Sequence, residues 1–192
     1  MTLASKITVS RLLCAPIFAA LAFFYGQGVQ ADMPKETLRW LAVAVFTLAA
    51  ASDGIDGYVA RRFNQYSKLG AFIDPIADKT LLLTAIISLT IIPWGDDWSI
   101  PLWFTLLMII RDIIIIVGIC ILHYVNKHVP IKPHWTGKVC TVTQMTLLGW
   151  VMLKFIPFSP IYPTILATIF TIWSGIEYFR EGLRQIKKKP ST

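Results

Sequence analysis

Four aspartates lie close together in the chain, and their side chains could support metal chemistry. They form two pairs, Asp53 with Asp56 and Asp74 with Asp78, three and four positions apart respectively. Residues at those separations lie on one face of an α-helix. Carboxylates held near one another repel and therefore require bound cations. Oxygen ligands without His or Cys suit Mg²⁺ or Mn²⁺, and we expect two ions.

Small residues and an arginine accompany the aspartates. Gly57 and Ala60 continue the helical spacing of the first pair, and Gly70 stands four positions before Asp74. Residues with almost no side chain leave room for a bulky ligand beside the metals, and Arg61 offers a planar cation to a phosphate. Magnesium held by carboxylates commonly keeps positions open for substrate phosphates. The pattern indicates a metal-assisted displacement at a pyrophosphate.

Pro75 lies between the two aspartates of the second pair. A proline inside a helix clashes with the carbonyl group four residues earlier. The third helix therefore either kinks at Pro75 or begins at Asp74. On both interpretations Asp74 and Asp78 point in roughly the same direction.

The composition indicates that a membrane surrounds these residues. Hydrophobic residues make up 55% of the 192 residues and charged residues 15%, against about 25% charged residues in a soluble domain. Six apolar runs approach the roughly 20 residues that cross a bilayer. They predict a single domain over 1–192, an all-α, polytopic bundle of six transmembrane helices with a short interfacial helix before Ser10. The predicted spans are 9–29, 38–60, 70–93, 101–125, 139–157 and 160–179.

The distribution of basic residues predicts the orientation of the six spans. The N-terminus, the 61–69 and 126–138 loops and the C-terminal tail would share one side, and most of the lysines and arginines lie there. Positive charge accumulates on the cytoplasmic side of a membrane, so both termini and the aspartates are expected in the cytoplasm. The net charge of +7 then favours contact with anionic membrane lipids over nucleic acid.

Two charged residues interrupt the fourth apolar run. Arg111 and Asp112 lie midway along it, where an unpaired charge is costly. They either pair with each other or with the acidic cluster, or Arg111 reaches a polar cavity and binds an anionic acceptor. Lys138, at the start of the fifth run, could supply a second cation or serve as an interfacial anchor.

The acidic stretch resembles the motif of a known family. The spacing Asp53-x2-Asp56-Gly57-x2-Ala60-Arg61-x8-Gly70-x3-Asp74-x3-Asp78 is similar, at every specified position, to that of the CDP-alcohol phosphatidyltransferases. These integral membrane enzymes use a hydroxyl to attack a CDP-linked lipid or alcohol and release CMP. The resemblance implies phospholipid biosynthesis in a bacterial inner membrane, with CDP-diacylglycerol and an anionic glycerol-type acceptor as substrates. It also implies a homodimer.

The resemblance further implies a role for each residue of the motif. Asp53, Asp56 and Asp74 would hold the metals with a contribution from Asp78, and Asp78 would also be the general base that deprotonates the attacking hydroxyl. A base must lie within hydrogen-bond reach of that proton. The residues implied in binding the CDP portion are Gly57, Ala60, Arg61 and Gly70.

Within the family the chain is similar to two bacterial branches, phosphatidylglycerophosphate synthases and cardiolipin synthases of the eukaryotic-like type. The first branch typically has Arg-Glu at 111–112, a second Arg eight positions later and Gly-Lys-Val/Ile-Lys-Thr in the fifth span. This chain has Asp112, Ile119 and Cys140 at the corresponding positions, so two expected cations are missing.

Fewer cations suit the single charge of phosphatidylglycerol better than the two charges of glycerol 3-phosphate. We therefore expect transfer to phosphatidylglycerol, which gives cardiolipin, with phosphatidylglycerophosphate synthesis as the alternative. The segment 174–179, Ser-Gly-Ile-Glu-Tyr-Phe, resembles the first branch instead.

A membrane transporter is an alternative of another class, because intramembrane acids and an arginine also occur in cation-coupled carriers. Such carriers usually have repeat symmetry and broken helices near the membrane midplane. Here the acids lie at one edge of the predicted bundle and the sequence has no internal repeat, which favours the enzyme.

Overall fold

The regular secondary structure of the described residues is helical. The computed structural model describes the backbone of residues 3–63, 68–92, 94–95, 98–126, 135–155 and 157–187 and the side chains of 13–52, 79–92, 94–95, 98–118, 135–155 and 157–184. Within those ranges there are six α-helices and no strand, so the predicted all-α class is confirmed. The helices are α1 (Leu3–Gln30), α2 (Glu36–Phe63), α3 (Lys68–Ile91), α4 (Leu102–Asn126), α5 (Trp135–Leu153) and α6 (Ile161–Lys187).

The helices follow the predicted apolar runs but extend beyond several of them. The separate interfacial helix expected before Ser10 is wrong, because α1 is continuous from Leu3. No glycine or proline precedes Pro16, so nothing ends a helix there. At the other end of the chain α6 continues eight residues past 179 to Lys187, because Arg, Glu and Lys favour helix while adding nothing to an apolar run.

The third helix begins before its proline. α3 starts at Lys68 and continues to Ile91, so the interpretation in which it starts at Asp74 is wrong. Pro75 therefore lies within the helix. The six residues before Asp74 supply a preceding helical turn that the apolar pattern alone did not reveal.

Among the described residues, one helix is long and apolar enough to cross a bilayer. It is the segment Leu13–Gln30 of α1, which has 18 residues and a mean hydropathy of 1.3. Of the side chains of α3, those of 79–91 are described, and they form a shorter apolar segment, Lys79–Ile91. Six membrane crossings therefore stay a prediction.

The contacts divide the chain into two compact units. Unit 1 comprises Met1–Ser99 and Val151–Phe155, and unit 2 comprises Ile100–Trp150 and Ile156–Thr192. In unit 1, α1 packs against α2 and α3, and α2 also contacts α3. In unit 2, α4 packs against α6. The prediction of a single domain stays a prediction.

Unit 1 has a core of small and aromatic side chains. The ring centroids of Phe18 and Phe46 lie 5.7 Å apart, which is a favourable aromatic separation. Ala22 and Ala42 are fully buried, and such small side chains allow helix backbones to approach closely. This packing holds α2 and α3, which carry the aspartates, against α1.

The turn after α1 has the hydrogen bonds of a Schellman motif. The Met33 N–H donates to the Gly28 carbonyl over 2.9 Å and the Asp32 N–H to the Val29 carbonyl over 3.2 Å. Asp32 has a φ of 54°, the left-handed conformation that this cap requires. A Cβ at Gly28 would lie only 3.0 Å from the Met33 carbonyl oxygen. The capped turn leads the chain from α1 into α2.

A polar cluster, which we call the Tyr25 cluster, connects the loops of unit 1. The Tyr25 hydroxyl donates to Glu36 over 3.1 Å, and Arg39 forms a 2.8 Å ion pair with the same carboxylate. The Lys154 ammonium donates to the Tyr25 hydroxyl over 3.3 Å and also to the Trp94 carbonyl. Lys154 has a φ of 52° and directly follows the last residue of α5.

Candidate active site

The two pairs of aspartates lie on two helices that contact each other. Asp53 and Asp56 belong to the last three turns of α2, and Asp74 and Asp78 belong to the first three turns of α3. The helical backbone places each pair on one face, as predicted. The four side chains lie outside the described residues, so the metal ligands and the general base stay predictions.

The predicted CDP-binding residues lie on the same two helices. Gly57, Ala60 and Arg61 belong to α2 and Gly70 to the first turn of α3. Their side-chain positions also lie outside the described residues. The small residues Gly57 and Ala60 therefore follow Asp53 and Asp56 on the same helix.

The donor set fits a divalent ion that prefers oxygen. The motif offers four carboxylates and neither His nor Cys, and the helices that carry them are in contact. Among the side chains that the structure describes, no three His, Cys, Asp or Glu residues are grouped as a metal site. The four aspartates are not among those side chains, so that finding does not bear on them.

Arg111 is the best-described candidate for ligand binding. Its Nη1 donates to Asp112 Oδ1 over 2.7 Å, and its Nη2 donates to the Ser174 hydroxyl over 2.5 Å. Its Nε is buried and makes no hydrogen bond to the described residues. The side chain is 14% exposed. A partly buried guanidinium with such an Nε–H can donate a hydrogen bond to a ligand oxygen.

Asp112 pairs with its neighbour in the sequence. The first of the alternatives for these residues, pairing with each other, is confirmed by the 2.7 Å ion pair. Adjacent residues of a helix do not normally face each other, and the long arginine side chain makes the contact possible. The pair neutralises a charge midway along α4, and it occupies only part of the guanidinium.

The C-terminal helix supplies further contacts to Arg111. The guanidinium carbon lies 5.8 Å from the centroid of the Tyr178 ring, within the range of a cation–π interaction. Ser174 is fully buried, and a Cβ at Gly175 would lie 3.5 Å from Arg111 Cγ. Ser174, Gly175 and Tyr178 of α6 therefore lie beside different parts of the Arg111 side chain.

The same tyrosine also meets α5. A Cβ at Gly137 would lie 3.2 Å from the Tyr178 hydroxyl oxygen. The next residue, Lys138, is exposed on the first turn of α5. Tyr178 therefore lies close both to Arg111 and to Gly137, the residue before Lys138. Among the described side chains, Arg111 and Lys138 share no hydrogen bond.

Polar contacts join α5 and α6 next to these residues. The Thr136 hydroxyl donates to Glu177 Oε2 over 2.6 Å. Cys140 is buried, with 1% of its surface exposed. Its Sγ lies 3.5 Å from the Thr171 hydroxyl oxygen and accepts a hydrogen bond from Gln144 Nε2 over 3.5 Å. Position 140 therefore faces packed protein.

Sequence reasoning missed Ser174 and Tyr178 as partners of Arg111. Both lie in the segment 174–179, which the sequence indicated only through a resemblance to one branch of the family. Their spacing of four positions places them on one helical face, and that spacing was the available signal. Which helix that face meets is a property of the tertiary structure.

Within the described residues, the chain is a helical protein that carries its four aspartates on two contacting helices, and comparison with known proteins identifies its family. The chain belongs to the CDP-alcohol phosphatidyltransferase family, whose model matches residues 1–174. It is therefore an enzyme of phospholipid biosynthesis, as the motif predicted, and the transporter alternative is not retained. Members of this family generally depend on a divalent metal.

Curated relatives cover almost the whole chain. A probable phosphatidylglycerophosphate synthase of Mycobacterium tuberculosis is 33% identical over 188 residues, which are 96% of this chain and 83% of the relative. The CDP-diacylglycerol–glycerol-3-phosphate 3-phosphatidyltransferase of Escherichia coli K12 is 32% identical over 178 residues, 90% of each chain. The enzyme of the same name from Shigella sonnei matches to the same extent.

Proposed function

We propose that this enzyme is a phosphatidylglycerophosphate synthase, which transfers the phosphatidyl group of CDP-diacylglycerol to glycerol 3-phosphate and releases CMP. The observation that carries this proposal is the similarity to enzymes named for that reaction, at about one third identity over nine-tenths or more of the chain. The proposal adopts the alternative of the sequence analysis, because these relatives favour it over cardiolipin synthesis.

The structure weakens the argument that favoured cardiolipin. That argument counted two missing cations, at Ile119 and Cys140. The Cys140 side chain is buried against Thr171 and Gln144. The absence of a lysine at this position is therefore no argument for a smaller positive charge at the acceptor site. The side chain of Ile119 lies outside the described residues. The remaining cation candidates are Arg111 and Lys138.

On the acceptor side, we propose that Arg111 and Lys138 bind the phosphate of glycerol 3-phosphate. The Nε of Arg111 makes no hydrogen bond to the described residues, and charge-assisted bonds to phosphate oxygen are among the stronger hydrogen bonds in proteins. Lys138 is exposed at the start of α5, where its ammonium can reach a ligand. Both cations favour an anionic acceptor over a neutral one.

On the donor side, we propose that the four aspartates hold two ions, Mg²⁺ or Mn²⁺, and that Gly57, Ala60, Arg61 and Gly70 receive the CDP portion. When bound, the ions neutralise the charge of the pyrophosphate. The hydroxyl oxygen of the acceptor attacks the phosphorus of the phosphatidyl group, and the bond from that phosphorus to the CMP oxygen breaks. Asp78 takes the hydroxyl proton.

We further propose that the enzyme spans the inner membrane of a bacterium six times, as one domain, with both termini and the active site in the cytoplasm. Large apolar side chains are exposed along α4, including Leu106, Ile110, Ile113 and Val117, and an extended apolar surface of this kind suits lipid contact. We propose that the enzyme is a homodimer in this membrane. Light scattering in detergent would measure its oligomeric state.

Single-cysteine labelling tests this orientation. In a cysteine-free variant, cysteines introduced at 66 and 190 should react with a membrane-impermeant reagent only from the cytoplasmic side, and one at 97 only from outside. Labelling of 66 and 97 from the same side would contradict six crossings.

The proposed reaction is tested by the product. Purified enzyme is incubated with CDP-diacylglycerol and either glycerol 3-phosphate or phosphatidylglycerol, and the lipids are resolved by mass spectrometry. We expect phosphatidylglycerophosphate and CMP with glycerol 3-phosphate, and no cardiolipin with phosphatidylglycerol. Cardiolipin formed from phosphatidylglycerol, without phosphatidylglycerophosphate from the other acceptor, would contradict the proposal and support the cardiolipin branch.

A further inference from the structure

Arg111 is held by residues of two helices, and this arrangement suggests a specific task for α6. Asp112 and Ser174 each accept one hydrogen bond from the guanidinium, over 2.7 and 2.5 Å. Tyr178 lies against its face, with 5.8 Å from the guanidinium carbon to the ring centroid. The bonds constrain the plane of the group, and the ring limits its movement out of that plane.

We propose that Ser174 and Tyr178 are positioning residues that orient the Arg111 guanidinium for the phosphate of the acceptor. This inference rests on the proposed function, in which Arg111 binds that phosphate. Neither residue needs to touch the substrate. They determine which N–H groups of Arg111 stay available and where those groups point.

The hydrogen-bond donors of the guanidinium support a positioning role for the residues around Arg111. An arginine has five N–H donors in a fixed planar arrangement. Two of them are occupied by Asp112 and Ser174, while Nε is buried without a hydrogen bond to the described residues. Leaving a buried donor unsatisfied is unfavourable. An acceptor oxygen would satisfy it, so the free enzyme is organised for an anion.

Fixing Arg111 in advance also has an energetic consequence. A free arginine side chain samples many rotamers, and part of that entropy is lost when it binds a ligand. A side chain already held by a buried hydroxyl and an aromatic ring loses less of that entropy on binding. The benefit applies to the acceptor alone, because the proposed CDP-binding residues belong to other helices.

The contacts of Arg111 also give the segment 174–179 a place in the acceptor site that we propose. Ser174, Gly175 and Tyr178 are the three residues of α6 that follow Arg111. A change in this segment would alter the direction of the guanidinium without changing the charge of the site. Acceptor preference would then depend on α6 as well as on the number of cations.

Steady-state kinetics with both substrates tests the proposal. Ser174→Ala removes the hydroxyl, and we expect the KM for glycerol 3-phosphate to rise about tenfold, since the lost bond involves a charged group. The KM for CDP-diacylglycerol should stay within about twofold. Ser174→Thr retains the hydroxyl and should recover most of the affinity for the acceptor. Thr168→Val is the matched control, because the Thr168 hydroxyl donates to the Thr164 carbonyl of its own helix over 2.7 Å.

The ring of Tyr178 is tested in the same way. Tyr178→Phe keeps the aromatic face and should raise the KM for glycerol 3-phosphate less than Tyr178→Leu does. Tyr178→Leu loses the face, and a rise of about threefold to tenfold is expected. Equal effects of the two substitutions would contradict a positioning role for the ring.

Thermal unfolding in detergent separates positioning from folding. If Ser174→Ala raises both KM values in parallel and lowers the unfolding temperature, its role is structural and the inference is wrong. Arg111→Lys separates the inference from the function on which it rests. If this variant raises the KM for glycerol 3-phosphate while Ser174→Ala does not, Arg111 binds the acceptor without help from α6. If neither variant does, the assignment of Arg111 to the acceptor fails, while the product analysis still tests the reaction.

Discussion

The Arg111 guanidinium donates a 2.5 Å hydrogen bond to the Ser174 hydroxyl, although 63 positions separate the two residues in the chain. This bond joins α4 to α6 at a point where a cation interrupts an apolar helix. An unpaired charge at such a point is costly within a membrane. Asp112 supplies the opposite charge and Ser174 a buried acceptor, while the Nε of this cation makes no hydrogen bond to the part of the chain that the structure describes.

Removal of divalent ions should abolish phosphatidyl transfer. The predicted ligands are four carboxylates, so EDTA should eliminate CMP release and added Mg²⁺ or Mn²⁺ should restore it. Asp53→Asn and Asp74→Asn should each lower the rate by a factor of 100 or more, on the order of that found when a group essential to transition-state stabilisation is removed. CMP release is followed by chromatography. Full turnover in excess chelator would contradict the metal mechanism.

Asp78→Asn should separate binding from catalysis. The substitution removes the proposed base but keeps the size of the side chain, so turnover should fall by about 10²–10⁴-fold. Binding of CDP-diacylglycerol, measured by calorimetry in detergent, should be partly retained. Glu181→Gln is a suitable control, since Glu181 lies near the end of α6, where its carboxylate forms a 3.9 Å ion pair with the exposed side chain of Arg184. Unchanged turnover in Asp78→Asn would assign the base to another residue.

Cys140→Lys should destabilise the enzyme. The side chain is 1% exposed and contacts Thr171 and Gln144, so a lysine would overfill the site and introduce a buried charge. We expect a loss of about 3 kcal/mol or more in the free energy of unfolding. Cys140→Ser retains both the size and the polar contacts and should be tolerated. Thermal unfolding in detergent compares the two; a stable Cys140→Lys enzyme with higher affinity for glycerol 3-phosphate would show that position 140 serves the acceptor.

Lys154→Met should weaken unit 1. Methionine keeps the apolar stem but removes the ammonium that donates to Tyr25 and to the Trp94 carbonyl. Loss of these bonds should lower the free energy of unfolding by about 1–3 kcal/mol. Lys35→Met, at an exposed position, is the matched control and should change it by less than about 0.5 kcal/mol. Equal unfolding temperatures for the two variants would contradict a stabilising role for the Tyr25 cluster.

Periodicity predicted the helices because each apolar run is long and ends near polar residues. It failed where a helix continues past its apolar part, as in α1 before Ser10 and in α6 after residue 179. Apolar patterning reports burial or lipid contact, whereas a helix continues as long as backbone hydrogen bonding and propensity allow. The same limit applies at Pro75, where the pattern left two starting points and α3 begins at Lys68.

The sequence by itself determined the helical class, the family and the acidic motif, because each depends on residue types at short, regular spacing along the chain. Only the tertiary structure decided that Ser174 and Tyr178 meet Arg111 and that Cys140 is buried between helices. Those contacts join residues far apart in sequence, and they depend on which faces of α4, α5 and α6 pack together. Spacing within one helix specifies a face, but the partner of that face is selected by the packing of the other helices.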